Sequence, residues 1–492
     1  MSISTLPSLQ YLAMQTLLGN QALAISALDD VPVLLFPSLF IEVYAQGHTE
    51  MLKALVQAWP FSCLPLGDLA ESPDLETFNA VLDGLHLLLA KKERPSRWKL
   101  QVLDMRNEHP NIWIQGYPSM ARLSCPDVLT EKPTVSHCSG MTEEQPLTIA
   151  MDLTIKDGTQ DALQAHLLHW ARERRGVQLC LRKLQVLCDS ISEIQKALHV
   201  VRLDSIQELA VSECWCSRTF GKLTPYLGQM KNLHILKFSR LRGSFHTLSP
   251  KHLWFSSKLG EQLGQLGHLQ ELYVHGVCFL SGQLSVILRS LLHLETLSLS
   301  SCRLNEADLR FLSRHPCSRQ LKHLQLRRLL MDNFSPEPLS ALLEQAAGTL
   351  ETLALEACCI MDPQLSAILP ALSQCNQLRV FSFYGNHISL AALHSLLSHT
   401  ARLGHLRRGI YPAPLESYSP QEWWLRNIDP ERFAQVRAGL APALRDTGTT
   451  QLVQICTSFC HYQNTCQFYS LGLDGSWVLT EEGLPGLSAL PV

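Results

Sequence analysis

His293-Leu-Glu-Thr-Leu-Ser-Leu-Ser-Ser-Cys302-Arg-Leu304 and Thr349-Leu-Glu-Thr-Leu-Ala-Leu-Glu-Ala-Cys358-Cys-Ile360 are two copies of one phrase, L-x-x-L-x-L-x-x-C-x-(L/I). The phrase describes a short strand with alternate leucines facing inward, followed by a turn, which is the signature of a leucine-rich repeat. The frame recurs at Ile206/Leu209/Val211, Leu233/Leu236/Phe238, Leu269/Leu272/Val274, Leu321/Leu324/Leu326 and Leu378/Phe381/Phe383, and in decayed form at Leu403/Leu406. Starts lie 25 to 36 residues apart, which leaves room after each strand for a helix. Suitable segments are Leu309-x-x-Leu312, Leu339-x-x-Leu342-Leu343, Leu365-x-x-Ile368-Leu369 and Leu393-x-x-Leu396-Leu397. The expected fold is therefore α/β: a leucine-rich-repeat solenoid, a horseshoe with parallel strands on the concave face, helices outside and an N-terminal helical cap. Each unit leaves an apolar face uncovered until a neighbour sits on it, so stability belongs to the array. Cys302, Cys358 and Asn386 take the position where a small polar side chain turns inward to satisfy backbone groups, which makes the cysteines structural.

The totals narrow the function classes. A net charge of −3 gives no general attraction to nucleic acid or an anionic membrane. Sixteen dispersed cysteines, several inside repeat phrases, suit a reducing compartment. The first basic residue is Lys53, so the early positive charge of an export signal is missing, and the apolar run at 31–41 is short for a membrane span and carries Pro32 and Pro37. These features predict a cytoplasmic or nuclear protein with no cofactor and no metal.

In chain order, residues 1–98 read as a helical region, with Leu9, Ala13 and Leu17 at i, i+4 and i+8 and Leu12 beside them. Asp30 suits an N-cap and Pro32 a first turn. Residues 99–205 read as irregular early repeats that include 106–146, a stretch with five prolines and no periodicity, expected to be disordered or loosely ordered. Regular repeats occupy 206–410, and 411–492 reads as a C-terminal cap. The tail Cys456-Thr-Ser-Phe-Cys460-His461-x4-Cys466 lacks the spacing of a zinc site and reads as a free-thiol cap.

Several phrases resemble the PRAME family (preferentially expressed antigen in melanoma and its relatives): Leu55-Val-Gln-Ala-Trp-Pro-Phe-Ser-Cys-Leu-Pro-Leu-Gly67, Phe78-Asn-Ala-Val-Leu-Asp-Gly-Leu85, Arg97-Trp-Lys-Leu-Gln-Val-Leu-Asp104, Pro225-Tyr-Leu-Gly-Gln-Met230 and Phe381-Ser-Phe-Tyr-Gly-Asn386. The resemblance implies a non-catalytic substrate receptor of a cullin-RING ubiquitin ligase, joined through elongin B and elongin C to a cullin and a RING subunit. It also implies links to transcriptional repression, differentiation and apoptosis. It places an elongin-binding box on Leu9, Leu12, Ala13 and Leu17, and a cullin box on Val31, Pro32, Leu35 and Leu39, with Val33 and Leu34 where a family sequence has a charged pair.

Side chains at the x positions of the strands point away from the helices and form the expected surface for protein substrates: Lys237, Arg240, Tyr273, His275, Gln325, Arg327, Arg328, Glu356 and Tyr384. The Leu-x-x-Leu-Leu matches at Leu85, Leu288, Leu326, Leu339 and Leu393 read as core, and the basic run Lys91 to Arg97 as a helix-end charge cluster. Neither a phosphate-binding glycine loop, an H-E-x-x-H nor a G-x-S-x-G elbow occurs in the chain. Beside the ligase adaptor stands a second reading, a plain binding protein or corepressor whose first helices merely cap the solenoid.

Overall fold

A computed structural model describes residues 9–69, 75–91, 95, 97–108, 111–123, 146–156, 161–174, 176–188, 190–212, 217–239, 250–277, 280–419, 428–446, 451–457, 466–472 and 476–483. The chain divides into two compact units, Met1–Leu184 with Ser192–Ile206, and Gln185–Ile191 with Gln207–Val492.

The first unit opens with helices α1 (Leu9–Leu18), α2 (Gln21–Ser26), α3 (Phe36–Ala45) and α4 (Thr49–Gln57). It continues as β1 (Cys63–Pro65), α5 (Leu75–Ala90), β2 (Val102–Asp104), α6 (Ile112–Gln115), α7 (Tyr117–Arg122), β3 (Leu147–Ile155), α8 (Ala162–Arg172), β4 (Val177–Val186), α9 (Ile191–Leu198) and β5 (Val201–Arg202). Strands β1, β2 and β3 pair in parallel, and β5 pairs in parallel with β4. Helix α4 buries Met51, Leu52, Leu55 and Val56, one face at helical spacing, against α5. That approach depends on Gly84, where an added Cβ would lie 2.9 Å from Lys53 O and 3.2 Å from Val56 Cβ. An aromatic cluster closes the free side of β1: Phe40 packs on Trp59 and Trp113 at 5.2 and 5.3 Å. The indole N–H groups of Trp59 and Trp113 donate to the carbonyls of Cys63 and Pro65, each at 3.0 Å. Edge carbonyls of β1 are thereby satisfied without another strand.

Two expectations change here. Residues 111–123, expected within the loosely ordered stretch, form α6 and α7, because Trp113 and Met120 supply buried anchors that a count of prolines does not register. Residues 124–145 lie outside the described residues. Asp30 caps no helix: after a 3-10 turn at Val33–Leu35, α3 starts at Phe36 with Pro37 in its first turn. Between α5 and β2, Arg97 donates to the carbonyls of Leu28 and Val31 at 2.9 and 2.7 Å, fastening the segment after α2 to the approach of β2.

The second unit is a leucine-rich-repeat solenoid. Strands β6 (Glu208–Ser212), β7 (Ile235–Ser239), β8 (Glu271–His275), β9 (Thr296–Ser300), β10 (His323–Arg327), β11 (Thr352–Glu356), β12 (Val380–Ser382), β13 (Arg408–Pro412) and β14 (Leu452–Cys456) form one parallel ladder in register. Helices α10 (Ser217–Leu227), α11 (Pro250–Leu263), α12 (Leu284–Ile287), α13 (Glu306–Arg314), α14 (Glu337–Ala346), α15 (Asp362–Leu372), α16 (Leu390–Thr400) and α17 (Pro430–Asp446) lie between them in sequence. The ladder ends with two antiparallel strands, β15 (Cys466–Leu471) and β16 (Trp477–Gly483), which the sequence reading did not anticipate. Cys460 and His461 of the cysteine tail lie outside the described residues.

The repeat letters do what the phrase requires. Inward leucines such as Leu297, Leu299, Leu324 and Leu326 are fully buried. The Cys302 thiol meets Ser300 O at 3.2 Å, and that of Cys358 meets Leu326 O at 3.2 Å. Asn386 saturates its amide: Oδ1 accepts from Cys358 N and Ile360 N, and Nδ2 donates to Leu355 O and Phe383 O. A second column escaped the sequence reading. The residue two beyond the last inward position of the phrase is left-handed in five successive repeats: Gly276, Ser301, Arg328, Ala357 and Gly385, with φ of 66°, 51°, 50°, 51° and 75°. Four of them, from Gly276 to Ala357, donate their N–H to a carbonyl of the next repeat at 2.8–2.9 Å, so the turn extends the ladder.

Candidate docking surfaces

Helix α1 sits on Met14 and Leu18, both buried, and Gln15 Nε2 donates to Glu42 Oε1 at 2.8 Å. The opposite side is apolar and open: Leu9 is 85% exposed, Leu12 48% exposed, Ala13 is exposed and Leu17 half-buried. The sequence reading grouped Leu9, Ala13 and Leu17 on one stripe, and that stripe lies open to half-buried while Met14 and Leu18 seat the helix. The structure adds residues that the reading missed, since Tyr11, Leu23 and Ile25 also face solvent, as does Leu34 at 52%. A signal was present: leucines in 1–35 outnumber the buried positions that helices this short can offer.

The second box fares differently. Pro32 is exposed and Leu35 half-buried, whereas Val31 is buried and Leu39 is 1% exposed. Val31 and Leu39 are therefore core residues rather than contact residues. Leu39 lies one turn into α3, on the side that also buries Phe36, Phe40 and Val43.

On the open face of the second unit, outward side chains pair with one another. Lys237 Nζ bonds Glu208 Oε1 at 2.9 Å and stands 5.3 Å from the centre of the Tyr273 ring. The Tyr273 hydroxyl donates to Glu271 at 2.8 Å; burial, then Glu271, pushes its pKa well above the ordinary value of 10.0. Gln325 accepts from Ser298 at 3.2 Å, and Arg327 pairs with Glu356 at 2.8 Å. His275 and Arg328 are half-buried on this side. Two of the expected surface residues are not on the surface: Glu356 is 2% exposed and Tyr384 4%. Tyr384 is covered by the terminal antiparallel pair, where Phe468 of β15 packs edge-on against it at 6.0 Å in a cluster with Ile410 and Cys456, and Glu356 is drawn in by its ion pair with Arg327. Arg240 lies outside the described residues. The accessible part of this face thus runs over β6 to β10.

Chemically, the assembly offers binding. Buried thiols are held protonated; burial pushes Cys358 up to about 12 and Cys375 up to about 11. Among the described residues no group of three His, Cys, Asp or Glu side chains is arranged to hold a metal ion. No helix among them is long and apolar enough to cross a membrane.

A family model described as the PRAME N-terminal domain matches residues 6–113, and one described as the PRAME C-terminal domain matches residues 147–475. Human PRAME family member 12 is 45% identical over 465 residues, covering 94% of this chain and 94% of the relative. Human PRAME family member 7 is likewise 45% identical, covering 94% and 96%. Among solved structures, a TLR13–ssRNA13 complex is similar with a TM-score of 0.30 and 14% identity, over 67% of this chain and 47% of that one. A leucine-rich-repeat protein of Leptospira interrogans is similar with a TM-score of 0.23 and 12% identity, over 59% and 87%.

Proposed function

The chain belongs to the PRAME family, and from that premise we propose that it is a non-catalytic substrate receptor of a cullin-RING ubiquitin ligase. In this reading α1 enters elongin C through Leu9, Leu12 and Ala13, with Leu17 at the rim. Elongin B, a cullin and a RING subunit complete the ligase. The repeat face over β6 to β10 holds a protein substrate, with Lys237, Tyr273, Gln325 and Arg327 in contact. Ubiquitin transfer is carried out by partner subunits, and the receptor contributes effective concentration and orientation.

One observation carries the reading: a short helix anchored by Met14 and Leu18 turns Leu9 and Leu12 to solvent. Burying each in a partner contributes about 1.5–3 kcal/mol before the costs of association, enough for a single helix to act as an anchor. The cullin contact is supported more narrowly, by Pro32, Leu34 and Leu35 in and before the 3-10 turn that leads into α3.

Leu9→Asp tests this directly. Elongins and a cullin are expected to co-purify with wild type and to be lost with the variant, while thermal unfolding stays within about 1 kcal/mol of wild type. Unchanged recovery of elongins would leave the second reading, a binding protein or corepressor in the same family whose α1 is only a cap.

A further inference from the structure

The helix-to-strand loops of successive repeats stack along one edge of the second unit. Backbone bonding continues there one residue ahead of each strand: Lys322 N donates to Glu295 O, Glu351 N to Lys322 O, Arg379 N to Glu351 O and Arg407 N to Arg379 O, at 2.7–2.8 Å. Residues of this column stand roughly 5 Å from their neighbours. Its two acids are already engaged, Glu295 by Lys322 at 2.7 Å and Glu351 by Arg379 at 3.5 Å. Around the column are five exposed arginines, Arg314 and Arg319 before β10, Arg379 before β12, and Arg402 and Arg407 before β13. Arg314, Arg402 and Arg407 have no ion-pair partner among the described residues.

Helix polarity accounts for part of this. Helices of the solenoid end toward these loops, and cations near a helix C-terminus are favoured within the last turn; Arg314 is such a residue. Arg319 closes the 3-10 turn Pro316–Arg319, whereas Arg379 and Arg407 lie beyond helix ends, where that effect has decayed. Within the column Arg379 and Arg407 are neighbouring like charges that repel one another, and a bound anion removes that repulsion.

We propose that this arginine edge is the docking site of an acidic polypeptide segment. Guanidinium forks match carboxylates in bidentate geometry, and the one lysine of the column, Lys322, is already paired with Glu295, which leaves the arginines to meet a ligand. The charge is local, since the chain as a whole carries −3. Single-stranded nucleic acid fits less well: the loops 315–322, 347–351, 373–379 and 401–407 contain no Phe, Tyr or Trp on which bases could stack. The proposal is independent of the ligase reading, and its assay contains no elongin.

Fluorescein-labelled decaglutamate is titrated with the full chain by anisotropy at low salt, alongside a labelled oligo-dT of matched charge. Saturable, salt-sensitive binding of the peptide is expected, about tenfold weaker in Arg402→Glu/Arg407→Glu and unchanged in Arg303→Glu, whose exposed side chain lies at the other end of the strands. Thermal unfolding accompanies each variant, and Arg402→Gln/Arg407→Gln replaces the double reversal if the latter unfolds. Absence of peptide binding, equal binding by the double variant, or tighter binding of oligo-dT would each overturn the proposal.

Discussion

Asn386 shows how one side chain joins two repeats. Its amide makes four buried hydrogen bonds, two of them to N–H groups of the preceding repeat's turn, and it is itself 1% exposed. Asn386→Ala strands those donors and acceptors, and a loss of about 2–4 kcal/mol is expected in denaturant unfolding. A loss under about 0.5 kcal/mol would mean that the turn reorganises to satisfy them. The left-handed column behaves oppositely. Ser301 pays the steric cost of a positive φ that glycine avoids, so Ser301→Gly should leave stability unchanged or raise it by up to about 1 kcal/mol, whereas glycine elsewhere in a strand lowers it. His315 adds a pH dependence. Burial holds its pKa below the ordinary value of 6.5, partly offset by the Arg289 carbonyl, while its Nδ1 faces Cys317 N at 3.4 Å. The unfolded chain then binds the proton more readily than the folded one. This group's contribution is complete above pH 6.5 and declines as pH falls below it. Wild type should therefore lose melting temperature between about pH 7.5 and pH 5.5, by more than His315→Gln does; equal losses would remove His315 from the account.

Elements are held by a few residues that sequence periodicity does not single out. Gly84 lets α4 and α5 approach to contact distance, and Gly84→Val should cost about 1–3 kcal/mol through overpacking against Lys53 O and Val56; Tm unchanged from wild type would show that the two helices part without penalty. Helix starts are tied across repeats by acids. Asp308 completes a capping box with Asn305 and also accepts from Gly282 N and Leu284 N of the preceding repeat, at 2.8 and 3.2 Å. Asp362 accepts in the same way from Ser389 N, and Glu416 from Leu390 N. The box at Asn305 joins residues three apart; the ties to neighbours were not legible in the sequence, because they join residues about a repeat apart. For α1 the reverse holds. Its apolar letters were plain, but which of them seat the helix and which remain open depended on its neighbours, α2 and the Glu42 side chain of α3.

Across the second unit, stability propagates from neighbour to neighbour, so damage at the end should stay near the end. Phe468 is buried against Tyr384 where the antiparallel strands fold onto the ladder. Phe468→Ala should cost about 3–5 kcal/mol locally, and hydrogen exchange should quicken in β13 and β14 well before β7 and β8. Uniform acceleration over all nine parallel strands would instead identify one cooperative block. By itself the sequence determined the repeat: its strand letters, its spacing, its inward Cys and Asn, and the family they resemble. Each of those is local, set by side-chain alternation along a strand and by turn chemistry within a dozen residues. Tertiary structure alone decided which outward residues remain outward. Tyr384 has the same strand parity as Arg327 and Tyr273, yet it is covered because a strand more than eighty residues later in the chain packs over it. Val31 and Leu39 were drawn into the core, and Leu34 left exposed, by the same cause: burial is a property of what arrives from elsewhere in the chain, and periodicity carries no record of it.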